Sequence, residues 1–199
     1  DTMLVSGIKS RPVYPGIEPD LYAKKNLFVC DCDGVAAVCD LARKAGAEFV
    51  ARSTILLCGS PLEASAAKTL EGANVWTFPT IETALIRLGG VLGQARMGTR
   101  LYAAGSETLI GSVVKLAEAH GVDHRSVFTE HRGSTARRVQ CVHCKGITDE
   151  VTTNPVKCAH CGLSLLVRDH YSRRIGAFMG VRIDAEAPGD IPQSMGEFK

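Results

Sequence analysis

Two rhythms of apolar and polar positions divide residues 27–130. Short apolar runs at Leu27–Cys32, Ser53–Cys58, Asn74–Phe78, Arg100–Ser106 and Ser126–Glu130 read as strands. Between them apolar residues recur at helical spacing. Val35, Val38, Cys39 and Ala42 line one helix, which Gly46 ends. Ile81, Ala84, Leu85 and Leu88 line another, and Leu109, Val113, Leu116 and Ala117 a third. A further helix is expected from Ser60 as its cap, with Pro61 in the first turn, Glu63 closing a capping box and Gly72 as the stop. Glu48–Ala51 suits a strand or a helix. Apolar strands that alternate with helices imply a parallel sheet covered on both faces, an open doubly wound α/β domain over 27–132.

The flanks lack this rhythm. Residues 1–26 carry Pro12, Pro15 and Pro19 and read as an extended arm. His131–Gln140 reads as a polar, basic linker, 139–183 as a small second module with a partner-docking segment, and 184–199 as a mobile tail. Composition leaves this division unchanged: 199 residues, 45% hydrophobic, 22% charged and net charge +2 describe a globular chain with no bulk attraction to nucleic acid or anionic lipid. No apolar run is long enough to span a bilayer, and the opening residues lack a secretory signal pattern, so a cytoplasmic protein with reduced thiols is expected.

The eight cysteines sharpen the picture. Cys141, Cys144, Cys158 and Cys161 form two C-x-x-C pairs with thirteen residues between them. Two such knuckles can close four sulfurs around one metal ion, as in a zinc ribbon or rubredoxin. Tetrahedral sulfur coordination suits zinc or iron; zinc is the commoner structural ion. His143 and His160 lie inside the knuckles, where four thiolates leave them no place as ligands. Cys30, Cys32, Cys39 and Cys58 read as core thiols.

Two strand ends carry further candidate chemistry, because ligands of open α/β sheets bind beyond the carboxyl ends of the strands. Phe28–Val35, with Asp31 and Asp33 in a D-x-D-G-V pattern, resembles the nucleophile motif of haloacid-dehalogenase-type phosphatases, although the paired aspartates expected after a late strand are missing from 100–135. The plain alternative is that both aspartates hold the turn. At Leu101–Glu130, Gly105 and Ser106 open a helix whose free N–H groups could hold an anion. This segment resembles the last strand–helix–strand of the nicotinamide-binding domain of ferredoxin–NADP reductases. The resemblance implies a reductase-like fold with Gly105 and Ser106 as its cofactor-phosphate position. That family's glycine-rich first loop is replaced here by Cys30–Ala37, and the arm is too short for a flavin-binding barrel.

Arg137, Arg138, Lys145, Lys157, Arg168, Arg173 and Arg174 make the second module basic. A metal-ribbon nucleic-acid-binding protein and a surface that docks an acidic partner both fit this charge. The α/β domain, the C-x-x-C…C-x-x-C-G module, the stretch Asp169–Val181 and the opening Ser6–Asp20 together resemble the A-type subunits of bacterial dimethylamine monooxygenases. The resemblance implies one subunit of a multicomponent enzyme that oxidatively demethylates dimethylamine to methylamine and formaldehyde. NADPH, flavin, iron–sulfur and haem groups would then sit on partner reductase and oxygenase subunits. This chain would serve assembly or support electron transfer without catalysing alone.

Overall fold

The computed structural model describes residues 10–198. Residues 1–9 of the expected arm and Lys199 at the end of the expected tail lie outside the described residues. Two compact units divide the chain: Tyr14–Gly133, and a second that joins residues 10–13 to 134–198.

In the first unit β1 (Lys25–Asp31), β2 (Ser53–Cys58), β3 (Asn74–Phe78), β4 (Thr99–Gly105) and β5 (Val127–His131) form one sheet ordered β3-β2-β1-β4-β5, with every neighbouring pair parallel. Helices α1 (Val35–Ala45), α2 (Ala47–Ala51), α3 (Ala64–Thr69), α4 (Ile81–Leu92) and α5 (Glu107–Ala119) make the connections. The strand order reverses at β1, which is the mark of a doubly wound sheet. β1 and β2 are apolar almost throughout because both faces are covered. Leu27 and Val29 join Leu56, Leu101 and Ala103 under α4 and α5. Phe28 and Cys30 join Ile55, Leu57 and Tyr102 under α1, α2 and α3. On that second face Phe28 stacks on Tyr102 at 4.5 Å between ring centroids, and Tyr102 on Phe128 at 5.2 Å.

Two local expectations change. Glu48–Ala51 is helical, because Phe49 and Val50 turn into the core beside α1. The helix expected from Ser60 starts only at Ala64, with extended Glu63 at its cap and no side-chain cap bond. Leu62 packs against the core, which holds 60–63 out of the helix. Part of the expected arm is built into the unit: Ile17 is buried and donates its N–H to Glu130 Oε2 at 3.0 Å, and Asp20 accepts from Arg100 Nε at 2.6 Å.

The second unit contains β6 (Arg137–Cys141), β7 (Ile147–Val151), β8 (Thr153–Asn154), β9 (Val156–Lys157), β10 (Ser164–Ser172), β11 (Ala177–Arg182) and β12 (Met195–Gly196). Five of them form a sheet ordered β7-β6-β11-β10-β9, while β12 pairs with β8. Ser10 bridges to His170 of β10. The expected mobile tail needs correction at its end. β12 is hydrogen-bonded and Phe198 is buried, its ring 4.0 Å from the Arg137 guanidinium, which also lies 4.1 Å from the Phe178 ring. Arg137 also donates to Asp169 Oδ1 at 2.8 Å, and Arg11 donates to Asp169 Oδ2 at 2.6 Å.

The hydrogen bond from Arg11, helped by Arg137, holds the Asp169 carboxyl below its ordinary value. Its stabilisation is therefore present above the unfolded-state value, about 3.9, and fades as pH falls through the folded-state value. Asp169→Asn should cost about 1–3 kcal/mol at pH 7, since it strips a mostly buried guanidinium of its counter-charge. In urea titrations the gap between variant and parent should narrow as pH drops below about 4.

Candidate functional site

The two cysteine knuckles are the same six-residue device used twice. Cys141 N–H donates to Gly146 O and Lys145 N–H to Cys141 O; Cys158 N–H donates to Leu163 O and Gly162 N–H to Cys158 O. Each turn closes through a left-handed residue, Lys145 at φ 63° and Gly162 at φ 72°. The first knuckle follows β6 and the second lies between β9 and β10, so the sheet presents them to each other. The second imidazole locks the pair. His160 covers Gly146, where a Cβ would lie 2.4 Å from the ring, and its Nε2 is 2.8 Å from Ile147 O. His143 is exposed.

All four sulfurs lie within 4.8 Å of one another. Cys141 Sγ is 3.8 Å from Cys161 Sγ, and Cys144 Sγ is 3.7 Å from Cys158 Sγ. A tetrahedron with metal–sulfur bonds of about 2.3 Å has edges of about 3.8 Å, so the donor set fits a single ion. Charge leads to the same place. Burial opposes ionisation of Cys158, but N–H groups of Cys161 and His160 and the neighbouring thiols outweigh it and bring the thiol down to about 6. The N–H of Leu163 favours ionisation of Cys161, yet burial and the sulfurs of Cys144, Cys158 and Cys141 push it up to about 12. One thiolate resists a second beside it, and a cation at the centre removes that resistance.

At the switch point of the sheet a carboxylate of the chain closes the turn. Asp31, at the end of β1, bends its carboxylate across to β4. Oδ2 accepts from Ser106 N–H at 2.8 Å and Oδ1 from Gly34 N–H at 3.0 Å. The Ser106 hydroxyl accepts from Leu109 N–H at 3.4 Å. Glycines make the room: a Cβ at Gly105 (φ 138°) would lie 2.1 Å from Asp31 Oδ1, and one at Gly34 would lie 2.0 Å from Ala104 O. The N–H that could hold a cofactor phosphate is thus bonded to the protein's own anion. The same bonds leave Asp31 as a brace, in an arrangement unlike that of a free nucleophile. Asp33 is exposed beside Gly133, on neither bond. The spacing of Asp31 and Gly34 was the available sign of this turn; its closure onto Ser106, seventy-five residues on, left none.

Of the other thiols, Cys30, Cys39 and Cys58 are buried, and burial raises all three, Cys58 to about 12. Cys32 departs from expectation. It is exposed, because β1 ends at Asp31 and the chain turns outward.

Compared with known proteins, the chain matches two family models. The N-terminal domain of dimethylamine monooxygenase subunit DmmA-like proteins matches residues 6–127, and their C-terminal domain matches residues 138–181. The chain belongs to the DmmA-like family. This DmmA-like chain is 34% identical over 111 residues to the heme-dependent oxidative N-demethylase delta subunit of Ectopseudomonas mendocina (strain ymp). That match covers 56% of this chain and 63% of the relative, so it spans less than two thirds of the relative's length. Among solved structures, the ferredoxin reductase in carbazole 1,9a-dioxygenase is similar at a TM-score of 0.42 and 11% identity, covering 58% of this chain and 34% of that one. The Amycolatopsis cytochrome P450 reductase GcoB is similar at a TM-score of 0.42 and 16% identity, covering 57% and 38%. Likeness at this level carries no functional argument. Among the described residues of this DmmA-like chain, no helix is long and apolar enough to cross a membrane.

Asp31→Ala should destabilise the first unit by about 1–3 kcal/mol, because two N–H donors lose a charged acceptor. Asp31→Asn, which keeps one acceptor oxygen, should cost less. Chemical denaturation of the two variants beside the parent measures both.

Proposed function

We propose that this chain is a non-catalytic subunit of a multicomponent, haem-dependent oxidative demethylase acting on dimethylamine. The observation that carries the reading is the pairing of a four-sulfur centre with a switch point closed by Asp31. The second feature gives the Ser106 N–H an acceptor within the chain, which favours a role without a bound cofactor, and the first supplies a place for a metal cross-link. The family's description and the delta-subunit name of its relative supply the reaction class. NADPH, flavin, iron–sulfur and haem groups then belong to partner reductase and oxygenase subunits, in the cytoplasm.

Cys141, Cys144, Cys158 and Cys161 are the proposed ligands of one zinc ion. A bound zinc would neutralise the thiolates and tie β6 to the start of β10, around a module core of few large side chains. Iron in the same position would add single-electron transfer, the second reading that four sulfurs allow. Two of the seven basic residues behind a nucleic-acid reading are engaged within the chain: Arg137 is held by Asp169 and two phenylalanine rings, and Arg138 donates to Asp149 at 3.0 Å. The phosphatase reading loses support through the bonds made by Asp31.

Metal analysis and a visible spectrum of the purified chain test the centre. One zinc per chain and no colour are expected; a red ferric-thiolate spectrum would move the assignment to iron. Protein that folds and stays metal-free in zinc would sink the centre altogether. Cys158→Ser and Cys161→Ser should each lose most of the bound metal and soften the second unit to proteolysis, while the first unit keeps its thermal transition.

A further inference from the structure

At the amino-terminal ends of β1, β2, β3 and β4, away from the end where Asp31 lies, the first unit has an open groove of about 550 Å³. Lys24, Lys25, Trp76, Arg87, Arg96 and Met97 line it, and no carboxylate does. Several cations elsewhere are spent on the chain's own acids: Arg100 on Asp20, Arg132 on Glu130, Arg137 on Asp169, Arg138 on Asp149 and Arg182 on Asp184. Lys24, Lys25, Arg87 and Arg96 are exposed and, among the described residues, in no ion pair.

The groove also carries apolar surface prepared for contact. Trp76, the only tryptophan of the chain, donates its indole N–H to Asn74 Oδ1 at 2.8 Å. Its polar atom is therefore satisfied, and covering the ring strands no donor. The Arg87 guanidinium lies 3.7 Å from the ring centroid, with no hydrogen bond among the described residues. Stacking holds the fork in place and leaves its donors for a carboxylate. Met97 is 96% exposed, as is Tyr22, two residues before Lys24. Tryptophan, arginine and methionine together are the residues that interface centres favour, and lysines at the margin are typical of a polar rim.

We propose that this groove docks an acidic surface of a partner subunit, one that presents clustered carboxylates around an apolar side chain. The inference rests on the subunit reading above and adds the contact face and the charge of what meets it. Open cations on long, separate stems, beside fully exposed methionine, suit a broad protein surface better than an enclosed small anion.

The test uses the full chain and the other subunits of the assembled demethylase, with association measured at several salt concentrations. Lys24→Glu combined with Arg87→Glu should weaken association by about tenfold or more and flatten its salt dependence. Trp76→Ala should weaken it by about tenfold at every salt concentration. Lys68→Glu with Lys115→Glu makes the same change in net charge on exposed residues outside the groove and should alter affinity less than about threefold. Unchanged association in the groove variants, with matching thermal midpoints, overturns the proposal and leaves the subunit reading standing. A parent chain that binds no demethylase subunit overturns the subunit reading and this proposal with it. Saturable binding of tripolyphosphate that the double variant abolishes, with subunit association intact, overturns it in favour of a small-anion site. Concentration-dependent dimerisation of the chain alone that the double variant abolishes overturns it in favour of contact between two copies.

Discussion

Two loops of the first unit come together beyond the carboxyl ends of β1 and β4, and a single carboxylate ties them. Asp31 reaches from the end of β1 to the N–H of Ser106, the cap of α5 just past β4, while Gly34 and Gly105 keep the space clear of side chains. A doubly wound sheet leaves free N–H groups at this position, and a ligand phosphate is the usual acceptor. Here the acceptor is covalently part of the chain.

The second unit faces the opposite difficulty. Its core has few large side chains, and two knuckles bring four sulfurs together. The hydrogen bonds around Cys158 favour its thiolate, while the neighbouring sulfurs oppose a second one at Cys161. A metal ion removes the repulsion, so folding of the module and occupation of the centre would be linked. The repeated hydrogen-bond pattern of the knuckles explains why their spacing is so regular, and the packing of His160 on Gly146 explains how they meet.

Charge is distributed by the same logic of internal use. Arg137 and Arg138, which in the sequence look like a basic patch, are structural: one lies against two rings and pairs with Asp169, and the other is mostly covered beside Asp149. Lys24, Lys25, Arg87 and Arg96, in no ion pair among the described residues, gather around Trp76 in stretches of sequence that carry no motif. Which basic residues are available to a partner is a property of ion pairing in three dimensions, and a count of charges along the chain does not report it.

The pattern of the sequence alone was enough to determine the alternation of strands and helices and the two-sided burial of the sheet. Burial imposes its period on the residues themselves, as Leu27–Cys30 shows by sending successive side chains into two different cores. The cysteine spacing likewise announced the four-sulfur cluster, since a C-x-x-C turn is a local device. Only the tertiary structure decided what fills the switch point, which thiol is exposed, where the end of the chain is anchored and which arginines are free. Each of these depends on contacts between residues far apart in sequence: Asp31 with Ser106, Arg137 with Asp169 and Phe198, Met195 with Asn154. Local periodicity carries no information about such pairs, because the energy that selects them appears only when the packed elements bring them together.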